Sequence, residues 1–253
     1  MRPIVLARLL QLSSQALPIG GYSHSQGLEA AIEQRVVTDE GSLLRWVADV
    51  LEFSMKSFEI PSMLCLAGAW ARSDPAAIAA LNEDFLSTRE SAEIRAAAVQ
   101  MGFSLCSLLC TLPQFPSGTI DTLRSIREPS LPCVWSAATT AWEIEPRDSV
   151  MGYLWTWAEN QVLVAMKAVP IGQSAGQRVL LALGSRIAQV AADLHAGAAG
   201  THGFAENLGG DYREADEYRE GGDCREGDYS NFTPGLAIFS SQHETQYSRL
   251  FRS

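Results

Sequence analysis

The sequence predicts an all-α protein, a single-domain bundle of about eight to ten helices. Three observations carry this reading. Apolar residues recur at spacings of three and four over long stretches. Alternating segments joined by hairpin turns, the mark of strands, are missing. Cap-plus-proline pairs punctuate the chain, Asp74-Pro75 being the clearest.

Taken in order, Leu43, Val47, Val50, Ser54 and Phe58 form one apolar stripe, which Leu44 and Leu51 widen. Positions 82–112 are filled with good helix formers behind Asn82, an expected N-cap. The stretch 142–167 is helical, with Pro146 as a break or a first-turn residue. Leu180, Leu183, Ile187, Val190 and Leu194 repeat the helical period. Short connections fall at 113–118, 128–132 and 170–176. The irregular stretch 197–234 is rich in Gly, Asp, Glu, Tyr and Arg. It is too poor in aliphatic residues to offset its own ordering entropy, so 204–231 reads as a flexible acidic loop.

Bulk properties narrow the function. A chain of 253 residues that is 47% hydrophobic can bury a core without disulfide help. Its net charge of -10 argues against a nucleic-acid binder. Segment 204–231 holds nine acidic residues and three Arg, so it supplies -6 of that charge. Lys56 and Lys167 are the only lysines, which leaves Arg as nearly the whole positive complement. Five cysteines, an odd number with no C-x-x-C, suit free thiols in a reducing compartment. Arg8 interrupts any secretory core, and no apolar run reaches the ~20 residues of a membrane span. The expectation is a soluble cytoplasmic protein.

Several motifs point to chemistry that the residues do not complete. The turn Pro170-Ile171-Gly172-Gln173-Ser174-Ala175-Gly176-Gln177 is glycine-rich but lacks the Gly-Lys-Ser/Thr ending of a phosphate loop. His243-Glu244 opens like a zinc-protease motif, yet Tyr247 stands where the second His belongs. Cys106 and Cys110 share a helix face with leucines and phenylalanine and read as core thiols. His195, His202 and Cys224 border or occupy the acidic loop and amount at most to weak nickel ligands. Trp142, Trp155 and Trp157 read as helix packing. No nucleophile–base constellation stands out, so neither a catalytic residue, a metal site nor a cofactor is assigned, and the chain is expected not to be an enzyme.

Two segments invite binding instead. In "ALPIGGYSHSQGLE", Pro18 fixes a turn and Gly20-Gly21 permit unusual backbone. Ser23 or Ser25 is the expected cap of the next helix, with Gln26 as its capping-box partner. On the residues alone this is an ordinary helix–turn–helix joint. The tail "HETQYSRLFRS", 243–253, mixes Tyr and Arg with Leu and Phe, the composition of a docking peptide.

Both segments resemble the terminal signatures of the urease accessory protein UreF family. "STRESAEIRAAAVQMG" resembles that family's Arg-Glu…Glu-x-Arg helix, where Arg89 and Glu93 are spaced to pair on one face. "YLWTWAENQVLVAMKAVPIGQSAGQRVL" resembles the family segment that ends in a PLGQxxGQ turn. The resemblance runs through nearly the whole chain and implies an all-α homodimer without catalytic activity. It implies binding to UreD (also called UreH), recruitment of the GTPase UreG, and service to apo-urease in nickel insertion. The partner-binding residues it implies are Pro18, Gly20, Tyr22, Ser25, Gly27, Glu29, Gln173, Gln177, Tyr247, Arg249, Leu250, Phe251 and Arg252. The tail is expected to fold back so that Arg249 reaches the region of Tyr22, Leu250 and Phe251 anchor it, and Arg252 faces a partner. The alternatives are a GTPase-activating regulator of UreG, with Gln173, Gln177 or Arg178 entering the nucleotide site, and a helical interaction domain unrelated to urease.

Overall fold

The computed structural model describes residues 1–199, 233–246 and 249–252, apart from the side chains of 194–199. The expected acidic loop 204–231 and Tyr247 lie outside the described residues. The α-helices are α1 (Pro3–Leu12), α2 (Leu28–Glu33), α3 (Glu40–Val50), α4 (Ile60–Ala71), α5 (Pro75–Ser87) and α6 (Ala92–Leu109). They continue with α7 (Ser117–Ser125), α8 (Leu131–Ala141), α9 (Pro146–Ala168), α10 (Gln173–Ala199) and α11 (Pro234–His243). A π-helical stretch, Leu51–Glu59, joins α3 to α4 without a break, so the described residues form ten helical rods and no strand. No helix among them is long and apolar enough to cross a membrane.

The core is built around α8. Every residue from Pro132 to Thr139 is buried, and four of them, Ser136, Ala137, Ala138 and Thr139, are small. Small side chains let α4 and α6 pack closely against α8 on either side. Polar groups inside are paired: Trp70 Nε1 donates to the Cys133 carbonyl at 3.0 Å, Ser136 Oγ to the Met63 carbonyl at 2.9 Å, and Trp135 Nε1 to Ser149 Oγ at 3.1 Å. A hairpin of α9 and α10 closes one side, and α3 packs against it. The stripes behave as their spacing requires: Leu43, Val47, Leu51, Ser54 and Phe58 are buried, as are Leu180, Leu183, Ile187 and Val190.

Asp74 caps α5, accepting from the Ala77 amide at 3.0 Å, and Pro146 opens α9 at its first turn. The single helix expected over 82–112 is instead two. Asn82 lies inside α5, where its amide donates to the Glu128 carbonyl at 2.9 Å and accepts from the Ser130 amide at 2.8 Å. The chain breaks after Ser87, and Ser91 caps α6 by accepting from the Ile94 amide at 3.1 Å. The break is local, marked by the Ser91 cap, whereas Asn82 is not a cap at all and serves a distant turn from within α5.

Cys106, Cys110 and Cys133 are free thiols, as expected, whereas Cys65 is disulfide-bonded, against that expectation. Burial pushes the Cys133 thiol up to about 12 and Cys106 up to about 11, so both are inert packing groups.

Candidate functional site

The segment 18–29 is shaped by backbone rather than by side-chain caps. Gly20 and Gly27 are both left-handed, with φ of 73° and 83°, and a short 3-10 turn, Gly21–Ser23, sits between them. The expected capping by Ser23 or Ser25 does not occur: α2 begins at Gly27 with no side-chain cap, and Ser25 is fully buried. Gln26 is itself left-handed, at φ 51°. Its side-chain oxygen accepts from Trp157 Nε1 at 2.8 Å and Gln161 Nε2 at 3.3 Å, which ties this costly conformation to α9. Gly27 also meets α11 closely, since a Cβ there would stand 3.3 Å from the Ser240 nitrogen.

That contact seats α11 beside α2 and α6. Its last residue, His243, is fully buried between two carboxylates. Nδ1 lies 2.6 Å from Glu93 Oε2 and Nε2 lies 2.9 Å from Glu29 Oε2. Each ring nitrogen therefore has a carboxylate oxygen within hydrogen-bonding distance, and the buried ring bridges the two acidic side chains. The other Glu93 oxygen accepts from Arg249 Nη1 at 2.8 Å. Glu93 thus pairs with the Arg249 guanidinium as well as with the His243 ring, so both of its oxygens are matched in this desolvated place.

Glu29 completes the arrangement. Its Oε1 accepts the Leu250 amide at 2.6 Å and its Oε2 accepts the Phe251 amide at 3.0 Å. The next amide, Arg252, donates to the Ser23 carbonyl at 2.8 Å. Glu244 Oε1 accepts the Ala92 amide at 3.1 Å, fixing the tail's start to the first turn of α6. Phe251 is buried, and the Lys167 ammonium stands 5.6 Å from its ring and 5.8 Å from that of Tyr22. The tail therefore folds back over the N-terminal turn.

Details of that docking differ from the sequence reading. Arg249 does not reach Tyr22; it binds Glu93 and the Gln246 carbonyl, and the backbone of Arg252 meets the N-terminal turn instead. Leu250 does not anchor, being 70% exposed, because the amide bonds to Glu29 turn alternate side chains in opposite directions. Arg89 pairs with Glu59 rather than with Glu93, since it precedes α6 and shares no helical face with Glu93. Of the other residues singled out, Pro18, Tyr22, Gln173, Gln177 and Arg252 are exposed, while Ser25, Gly27 and Glu29 are buried. Arg178, the cation of the 170–178 turn, is held by Glu40 through bonds of 2.9 and 2.5 Å.

Sequence reasoning missed Gln26 as a brace to Trp157 and Gln161, and Lys167 as the cation between two rings. No local signal links positions so far apart. His24 is also buried in this turn, and burial together with the Arg252 charge lowers its imidazole to about 4, so it is neutral. Among the described residues no group of His, Cys, Asp and Glu is arranged to hold a metal ion. The two carboxylates around His243 use opposite ring nitrogens and do not converge on one point.

Fold and site define a helical protein that fastens its own tail against its N-terminal turn. Comparison with known proteins places this class among urease accessory proteins. The UreF family model matches residues 37–184. Over 98% of the chain it is 46% identical to the urease accessory protein UreF of Azoarcus sp. (strain BH72), covering 95% of that protein. It is 45% identical to the UreF of Dechloromonas aromatica (strain RCB), over 98% of this chain and 97% of that one. The UreF of Janthinobacterium sp. (strain Marseille) is 41% identical over the whole of both chains. The chain belongs to the UreF family, and its role lies in urease maturation. The family model stops short of both the N-terminal turn and the tail, whereas the relatives span them.

Proposed function

We propose that this protein is a cytoplasmic adaptor of urease maturation. It binds UreD (UreH), recruits the GTPase UreG, and through that assembly serves nickel insertion into apo-urease. It works as a homodimer and catalyses no reaction itself. The observation that carries this reading is the clamping of two consecutive tail amides by Glu29. A tail fixed in this way leaves Tyr22, Leu250 and Arg252 exposed around the clamp, and Gln173 and Gln177 are exposed at the start of α10. An exposed aromatic, an exposed aliphatic and an Arg on a rigid base are the residue types that concentrate binding energy at interfaces. Nickel is cargo of the assembly in this reading.

The test is co-purification with UreD and UreG, using the intact chain, a chain lacking residues 247–253, and Arg249→Ala. Loss of UreG capture by both variants, with the helical spectrum kept, is the expected result. Equal capture by all three chains would refute the tail as a docking surface. Failure of the intact chain to capture either partner would refute the adaptor reading itself.

A further inference from the structure

Arg89 stands between α5 and α6, and its side chain is only 2% exposed. Its guanidinium lies 4.6 and 4.1 Å from the ring centres of Phe58 and Phe85, a stacked aromatic pair. Nη1 donates to Glu59 Oε2 at 3.1 Å, and the other Glu59 oxygen accepts from the Tyr153 hydroxyl at 2.5 Å. Glu59 is therefore satisfied. The two remaining Arg89 nitrogens that could bind are not: Nε and Nη2 are buried without a hydrogen-bond partner.

These two nitrogens form one edge of the guanidinium plane. Their N–H groups run parallel, the geometry that receives both oxygens of a carboxylate-like group. A buried polar group left unmatched is destabilising, and a charged one more so, so an unmatched fork is a standing cost that a ligand removes. Arg89 lines a cavity of about 60 Å³ whose walls include Met101, Trp135, Tyr153, Trp157 and Asn160. Asn160 Oδ1 is a second buried atom of this wall without a partner. Room for one water needs only about 10–15 Å³ on this measure, so the space admits a small planar oxyanion of three or four heavy atoms.

Charge restricts the occupant further. Glu59 already balances Arg89, and Glu90 stands on an adjoining cavity of about 20 Å³ that Arg89 and Glu59 also line. A doubly charged anion is repelled by this pair of carboxylates about twice as strongly as a singly charged one. We propose that the Nε/Nη2 edge of Arg89 binds a small monovalent planar oxyanion of the carboxylate class, either formate or bicarbonate, whose hydroxyl is of the donor type that the Asn160 Oδ1 acceptor lacks. Gly21, His24 and Gln26 share the cavity wall, so the bound anion stiffens the N-terminal turn from behind. This site stands apart from the tail and does not depend on the adaptor reading.

The test uses the full-length protein at constant ionic strength, titrated separately with sodium bicarbonate, sodium formate, sodium sulfate and sodium chloride. The readouts are the thermal midpoint, the fluorescence of Trp135 and Trp157, and line broadening of the 13C-labelled anions. The expected result is a saturable rise in midpoint with bicarbonate or formate and none with sulfate or chloride. A stronger response to one of the two identifies which anion is preferred. Arg89→Lys is expected to lose the response. Ala98→Val, which adds volume to the same cavity wall, is a second variant should Arg89→Lys fail to fold. A wild-type midpoint that moves equally in all four salts, or a cavity that holds water alone in crystals grown with either anion, overturns the proposal.

Discussion

Glu29 and His243 lie 214 positions apart and meet at 2.9 Å in the interior. The same Glu29 oxygen also accepts the Phe251 amide, so one atom joins α2, the end of α11 and the tail. A buried ring held between two acidic side chains is the centre on which the tail turns. Substituting His243→Gln keeps a donor toward one carboxylate and turns an oxygen toward the other. The expected outcome is faster hydrogen exchange at the Leu250 and Phe251 amides with an unchanged helical spectrum. Unchanged protection of those amides would show that His243 does not hold the tail.

Neighbouring residues 250 and 251 divide by burial, Phe251 enclosed and Leu250 exposed. Phe251→Ala removes a buried ring, a change that costs about 3–5 kcal/mol in a closed core and less at this site, which lies near the surface. Limited proteolysis of the tail is expected to accelerate. Leu250→Ala alters an exposed side chain and is expected to leave stability within about 0.5 kcal/mol. If Leu250 belongs to the UreG surface, its loss weakens capture while proteolysis stays as in the wild type.

His24 makes stability depend on pH. Its folded value of about 4 lies below the ordinary value near 6.5, so the unfolded chain binds the proton more readily. The stabilisation is fully present above about pH 6.5 and is lost as pH falls toward 4, with an upper bound of about 3 kcal/mol. Urea unfolding at pH 7 and pH 4.5 measures it. The difference between the two should shrink in His24→Gln; an equal difference in both proteins would assign the acid sensitivity elsewhere.

Asn82 and Gly102 fix the turn before α8 from two sides. Asn82→Ala removes both bonds to that turn and leaves the buried Ser130 amide unmatched, at a cost of about 1–3 kcal/mol. At Gly102 a Cβ would fall 2.1 Å from the Pro129 carbonyl oxygen, so Gly102→Ala must push α6 off the turn. Both variants are expected to lower the thermal midpoint, Gly102→Ala more strongly. A Gly102→Ala protein as stable as the wild type would contradict this packing.

What the sequence disclosed depended on the range of each interaction. The stripes from Leu43 to Phe58 and from Leu180 to Val190 repeat within one helix, and their burial follows from periodicity alone. Asp74-Pro75 is equally local. The role of Asn82 is not, because from within α5 its side chain binds a turn almost fifty residues on, while the break after Ser87 is marked by Ser91 instead. The composition of 243–253 suggested docking, but which side chains point inward is set by Glu29, which the tail meets only in the fold. Arg249 therefore lay one contact away from its expected place, and Leu250 on the opposite side.

The clamp between Glu29 and the tail also has a meaning for synthesis. A ribosome makes Glu29 long before His243, and most of the helical core is translated in between. A nascent or truncated copy can thus bury α8 and close the α9–α10 hairpin while its N-terminal turn still lacks its cover. Only a copy that already carries Leu250 and Phe251 can close the clamp on Glu29, so the N-terminal turn acquires its cover after the core it rests on.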